Sequence, residues 1–176
     1  MSYLLKLQKL KWILKHPYLA LKMKKLLDCR AGEFVFSDFS HSTSMASNLN
    51  VLGVVAVVNR KACPGKRILI VNTEGLSRKV KHETAKLSAE NFNPKGSGWH
   101  NWHLIRRSDC LRMFANKNPV KEAILKLAGV DIDEKIIWTA TRGQDNKEPL
   151  ALFLSNHMVY AYNRECPLNY LAVLRF

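Results

Sequence analysis

An α+β fold is predicted for this chain, and three observations carry the prediction. Strand-like runs fill residues 32 to 71, helix-like runs fill 82 to 128, and strand-like runs return from 136 to 176, so strands and helices are segregated instead of alternating as βαβ units. Hydrophobic residues make up 47% of the 176, enough for one ordinary core with an appendage. The appendage shows in the charge: within a net +14, residues 1 to 28 carry seven lysines against Asp28 alone. A basic amphipathic helical extension over 1–28 and a folded domain over 29–176 are therefore expected.

The extension has the helical period. Tyr3, Leu7, Leu10 and Leu14 share one face, whereas Lys6, Lys9 and Lys11 lie largely off it. Pro17 ends or kinks this helix, and a second short one is expected through Leu19 to Leu27. No apolar run approaches the ~20 residues that cross a bilayer. Lysines interrupt every apolar stretch, which leaves no clean signal-peptide core. Two roles fit. The segment is a basic anchor meeting an anionic membrane or a partner through Lys6, Lys9, Lys11, Trp12, Lys15, Lys22, Lys24 and Lys25, or it is a helical pair docked on its own domain.

From Gly32 the texture changes. Phe34 to Asp38 reads as a short strand entering a turn, and the polar stretch Ser40 to Asn50 as a loop. Val51 to Val58 is almost unbroken and β-branched, as expected of a central strand buried on both faces, and Arg67 to Val71 would be its hairpin partner. Helices are predicted over His82–Asn91, Ser108–Ala115 and Val120–Ala128, the last with Asn118 as N-cap, Pro119 at the first helical position and Gly129 as the stop. Strands follow over Ile136–Ala140, Leu150–Leu154, Met158–Tyr162 and Tyr170–Phe176.

Reactive chemistry is thin. Cys29, Cys63, Cys110 and Cys166 lie far apart with no CxxC pair, and the plain reading is reduced, mostly buried thiols. His100, His103 and Cys110 make an incomplete zinc set, and their tryptophan neighbours favour packed or hydrogen-bonded histidines. Gly96-Ser97-Gly98 lacks the Lys-Ser/Thr of a phosphate loop. Trp99, Trp102 and Trp138 are expected mainly in the core. No cofactor, metal or catalytic residue is expected.

Several segments together resemble a family. Gly32-Glu33-Phe34-Val35-Phe36-Ser37-Asp38, then Leu52-Gly53-Val54-Val55 and Ile68-Leu69-Ile70-Val71, look like the opening of bacterial C-type-lectin-like domains, above all the FISUMP (major paralogous) domains and the C-terminal domains of collagen-like adhesins. Gly98 to Leu104 resembles the segment leading into their helix, Ala123 to Gly129 a further helix, and Trp138-Thr139-Ala140-Thr141 their Trp-Ser-Ser-Thr strand. Tyr170 to Phe176 takes the place of their Arg-Cys-Val-Arg ending, with Ala172 for the arginine and Val173 for the cysteine. Ile105 and Arg106 depart from the usual proline and Ser/Thr.

The resemblance implies a C-type-lectin-like fold with short antiparallel sheets and two or three helices. It also implies the first and last strands side by side, Phe34 and Phe36 lying near Val173 and Leu174. Function would be recognition without catalysis, at a cell surface or outside the cell, although the missing signal core leaves a cytoplasmic or phage-borne location open. Formylglycine-generating enzymes share the architecture but need neighbouring cysteines, which Cys166 lacks. Glu148-Pro149-Leu150 lacks the third ligand of a calcium-lectin loop.

Two functions are carried forward. The first is a glycan- or protein-binding surface made of Arg142, Gln144, Asp145, Asn146, Lys147, Asn156, His157, Tyr160, Tyr162, Asn163 and Arg164, which mix amide, aromatic and cationic groups. The second is binding of nucleic acid or anionic membrane by the lysine-rich extension with Arg60, Lys61, Lys66, Arg67, Arg78, Lys79, Lys81, Arg106, Arg107 and Arg112, which must then converge in space.

Overall fold

The computed structural model describes residues 25–45, 49–62, 67–94, 101–143 and 148–176. Ten strands and three α-helices are named among them. The strands are β1 (Phe34–Phe36), β2 (His41–Ser42), β3 (Val51–Val58), β4 (Ile68–Asn72), β5 (His103–Leu104), β6 (Ile136–Arg142), β7 (Pro149–Phe153), β8 (Val159–Ala161), β9 (Asn169–Tyr170) and β10 (Ala172–Arg175). The helices are α1 (His82–Glu90), α2 (Arg107–Phe114) and α3 (Lys117–Ala128). One sheet has the order β2-β1-β3-β4-β10-β5, the other β8-β7-β6-β9. The α+β class is thus observed, with every pairing antiparallel except β6 with β9.

The sequence of β3 dictates the layering. Its six central residues are all buried, so apolar groups must cover both faces. Register aligns them in rows across four strands. Phe34, Val54, Val71 and Val173 stand opposite one another and face a core shared with Met113 of α2 and Ile124 of α3. Val55, Ile70 and Leu174 form the alternate row and meet Ala85 and Ala89 of α1, together with Trp102 and Phe39. Period-two alternation therefore splits the interior into two clusters.

The second sheet adds one face to each cluster. Ile137 and Leu152 join the α2/α3 side, whereas Trp138, Ala151 and Tyr170 join the α1 side. Leu171 is the switch between sheets, because β9 pairs with β6 and β10, one residue later, pairs with β4 and β5. A backbone hydrogen bond from Ala140 N–H to Ile105 O, 2.7 Å, links the sheets again at β6. Trp138 is fully buried with Leu104 and Val55 in its cluster, as the sequence predicts, and its Nε1 donates to Val80 O at 2.9 Å.

Four local expectations need correction. The first and last strands are not neighbours: β3 and β4 lie between β1 and β10, since β3 needs a strand on each side, although beyond β1 Phe39 meets Phe176 edge-on at 5.8 Å. The N-cap of α3 is Asn116, and Pro119 is the third helical residue, a place where a missing N–H is harmless because the first-turn donors have no helical acceptor. The predicted loop Ser40 to Asn50 contains β2; the described part of the segment leading into α2 holds β5, whose two residues pair with Ala172 and Val173, and α2 follows as expected. The closing strand is two short strands in different sheets.

Glycine is required at Gly53. A Cβ there would lie 2.3 Å from the Val71 carbonyl oxygen, a spacing only a hydrogen can occupy. Gly129 closes α3 in the left-handed region at φ 65°, donating its N–H to Leu125 O.

One buried ion pair fastens the end of β10 to α2. Asp109, with a side chain only 6% exposed, accepts from Nε and Nη2 of Arg175 and from the Arg106 N–H at the helix start. Removing only the arginine strands a buried carboxylate. Arg175→Met should lower stability by about 3–5 kcal/mol in urea unfolding, and the double change Asp109→Leu with Arg175→Met should recover most of that loss. Equal instability of the single and double variants would show that packing, not charge, is what matters there. Trp138→Ala should cost about 3–5 kcal/mol by the same measurement, from lost apolar contact and the cavity left behind.

Candidate functional site

The candidate surface is built on the four-stranded sheet, whose outer strand is β8. The β6–β7 hairpin pairs Arg142 with Pro149, and Gly143 N–H donates to Glu148 O across its neck. Tyr162 N–H donates to Pro149 O at 3.0 Å, which draws the chain after β8 to that same end. Arg142, Tyr162, Asn163 and Arg164 therefore gather at one end of the sheet. Gln144, Asp145, Asn146 and Lys147 lie outside the described residues.

Asn156 and His157 occupy the opposite end, in the turn from β7 to β8. Along the five residues of β7 this is on the order of 15 Å away. Both are engaged locally. Asn156 Oδ1 accepts the Met158 N–H, and His157, at φ 63°, lays its ring on Phe114 with centroids 3.6 Å apart. A small ligand cannot touch both ends, so the eleven residues do not form one small-molecule site.

Tyr160 lies between, paired with Ala151, and Tyr162 lies at the Arg142 end. Tyr160 is 46% exposed and meets Phe153 edge-on at 5.4 Å, whereas Tyr162 is half-buried and meets Trp138 at 6.1 Å. Tyr160 thus keeps an accessible ring, and Tyr162 is anchored on the core. The loop carrying Asn163 and Arg164 is held in three ways. Asn163 Oδ1 accepts the Glu165 N–H, Arg164 O accepts the His82 N–H, and Glu165 pairs with Lys81 at 2.7 Å. That hydrogen bond raises the Lys81 pKa and lowers the Glu165 pKa.

Sequence reasoning missed what lies beneath this end. Trp138 is bracketed by buried His82, ring edge-on at 5.3 Å, whose Nε2 lies 3.3 Å from Thr139 O. Thr139 is fully buried and donates to Leu150 O at 2.9 Å. Alternation within Trp-Thr-Ala-Thr puts Thr139 on the face opposite Trp138, which reads as outward, and its partner eleven residues away leaves no local signal.

The described basic residues are spread over several elements, and several are engaged by carbonyls or carboxylates. Arg60 donates to the carbonyls of Leu27 and Cys29, Arg67 to that of Ala62, Arg78 pairs with Glu74, and Arg112 lies 4.0 Å from Asp109. Arg106 and Arg107 open α2, where the Arg107 N–H donates to Thr141 Oγ1 and so lies beside Arg142. Lys66, Lys6, Lys9, Lys11, Trp12, Lys15, Lys22 and Lys24 lie outside the described residues. Lys25 donates to Asp38 O at 2.9 Å, and Leu26 is fully buried in the α1-side core, so this end of the extension packs on the domain.

Cys29, Cys110 and Cys166 are free thiols, the first two buried. Burial, with Glu33 adding to it, pushes the Cys29 thiol up to about 12, and burial raises Cys110 as well, so neither is a thiolate near neutrality. Trp99, His100 and Cys63 are outside the described residues, and among those described no group of three His, Cys, Asp or Glu could hold a metal. No described helix is long and apolar enough to cross a membrane. Compared with known proteins, the chain matches no family model and no curated sequence.

His103 on β5 is held below the usual histidine value, first by burial, then by the charges of Arg175 and Arg106, with Glu90 opposing. A depressed histidine favours the neutral ring in the fold. Its contribution is full above pH 6.5 and is lost as pH falls through its own folded value. NMR titration should therefore give a His103 midpoint below 6.5, moved part of the way back up by Arg106→Ala. A midpoint at or above 6.5 would contradict this environment.

Proposed function

We propose that the chain is a non-catalytic recognition module of C-type-lectin-like type, binding a glycan or protein ligand at the end of the four-stranded sheet that carries Arg142, Tyr162, Asn163 and Arg164. One observation carries the reading: Pro149 draws the β6–β7 hairpin and the post-β8 loop together, as pairing partner of Arg142 and acceptor for Tyr162. Cationic, amide and phenolic groups from two separate segments are thereby presented on a braced scaffold. Such placement suits recognition, since side chains fixed before binding lose little freedom on binding. The α+β architecture and the Trp-Thr-Ala-Thr segment on β6, with its tryptophan in the core, support the lectin-like resemblance, whereas the separation of β1 from β10 departs from it.

The competing reading is a basic binder of nucleic acid or anionic membrane. Its described cations are spread over several elements and are largely engaged by carbonyls or carboxylates, which weakens it. Salt separates the two. A glycan array run with salt-titrated DNA, RNA and anionic-liposome binding should return a ligand whose affinity changes little between about 50 and 200 mM salt, where a nucleic-acid binder with several phosphate contacts loses orders of magnitude. Arg142→Ala and Arg164→Ala should each weaken that ligand several-fold with the melting temperature intact, and Asn156→Ala, at the far end, should not. Unchanged affinity in both arginine variants, or steep salt dependence, would overturn the proposal.

A further inference from the structure

A second surface lies away from the C-terminal loops. An open groove of about 570 Å³ runs between the end of α1 and the 3-10 turn Glu74–Ser77, bordered by the start of β3 and by Tyr170. Its size falls within the roughly 300–1,000 Å³ of small-molecule sites. We propose that this groove binds a neutral saccharide of two to four units.

The walls are fixed before any ligand arrives. The buried Asn169 amide donates to Leu76 O and Arg78 O, and Asn72 Oδ1 accepts the Glu74 N–H while its amide donates to Leu52 O. The 3-10 turn is thus clamped at both ends. Gly75 lets it settle on Tyr170, because a Cβ there would stand 2.7 Å from the phenol ring. On the opposite wall Phe92 is held edge-on against Trp102 at 5.1 Å.

The lining chemistry indicates the ligand class. Asn91 and Asn93 are exposed, and their side-chain amides make no hydrogen bond among the described residues. Each amide both donates and accepts, which matches a hydroxyl group that does the same. Partly exposed Phe92 supplies the apolar ring surface that sugar C–H faces require, with buried Tyr170 behind the 3-10 turn as its support. The charged lining residues are Glu74 and Arg78, which neutralise each other at 2.7 Å. In a chain of net charge +14, a groove whose own charges cancel does not select an anion.

The test uses the full chain with neutral gluco-, manno-, galacto- and xylo-configured oligosaccharides of two to four units, followed by saturation-transfer NMR and calorimetry. At least one should bind, with affinity little changed between about 50 and 500 mM salt. Asn91→Ala combined with Asn93→Ala should weaken it about tenfold through loss of the two amides, and Ser88→Arg should block it. Lys126→Ala, on α3, should leave it unchanged. Failure of the whole panel to bind, or undiminished binding by the folded Asn91/Asn93 variant, overturns the inference. If Arg164→Ala removes the saccharide signal and the Asn91/Asn93 variant does not, the sugar belongs to the C-terminal surface, and the groove proposal alone falls.

Discussion

The constraint from which the structure follows is that β3 must be dry on both faces. Eight residues with no charged or strongly polar side chain cannot lie at an edge or under a single layer. The chain meets this by pairing β3 with β1 on one side and β4 on the other, placing α1 over one face and α2 with α3 over the other. Gly53 belongs to the same solution, since β3 and β4 approach at that point with no room for a side chain. The Asp109–Arg175 pair completes it by fixing α2 to the strand beyond β4.

Legibility in the sequence tracked how local each determinant was. β3, β4, the three helices and the Gly129 stop announce themselves through runs, periods and caps of a few residues, and all are found. Adjacency of strands is a different matter. Whether β10 lies beside β1 or β4 depends on the register of rows such as Phe34, Val54, Val71 and Val173, which span nearly the whole chain. The N-cap of α3 was misassigned by two residues because Pro119 is compatible with any position in the first turn. β5 was invisible for a similar reason: two residues hold strand geometry only because β10 supplies partners.

The same division applies to the candidate surface. Polar composition identified the loops around Arg142 and Arg164, but composition carries no distance, and it joined Asn156 and His157 to residues at the other end of the sheet. The packing of His157 on Phe114 and the turn made by Asn156 explain those residues without a ligand. The amide groove escaped notice altogether, because its lining comes from β3, β4, α1 and β9. Charge is limited in a related way. A net +14 describes the whole chain, while the field near any groove is set by which cations already have a carboxylate or carbonyl beside them.

The switch of the chain between sheets at Leu171 has a mechanical meaning. Tension applied at Phe176 along β10 is not taken by one row of hydrogen bonds. β10 is held laterally by β4 and β5, the Phe176 backbone is tied to Ile68, and one residue upstream of β10 the load passes through Leu171 into β9 and thence to β6 in the other sheet. Strands pulled along their length load these bonds together, in shear, instead of parting one by one. A pull from this end would be resisted by both sheets at once.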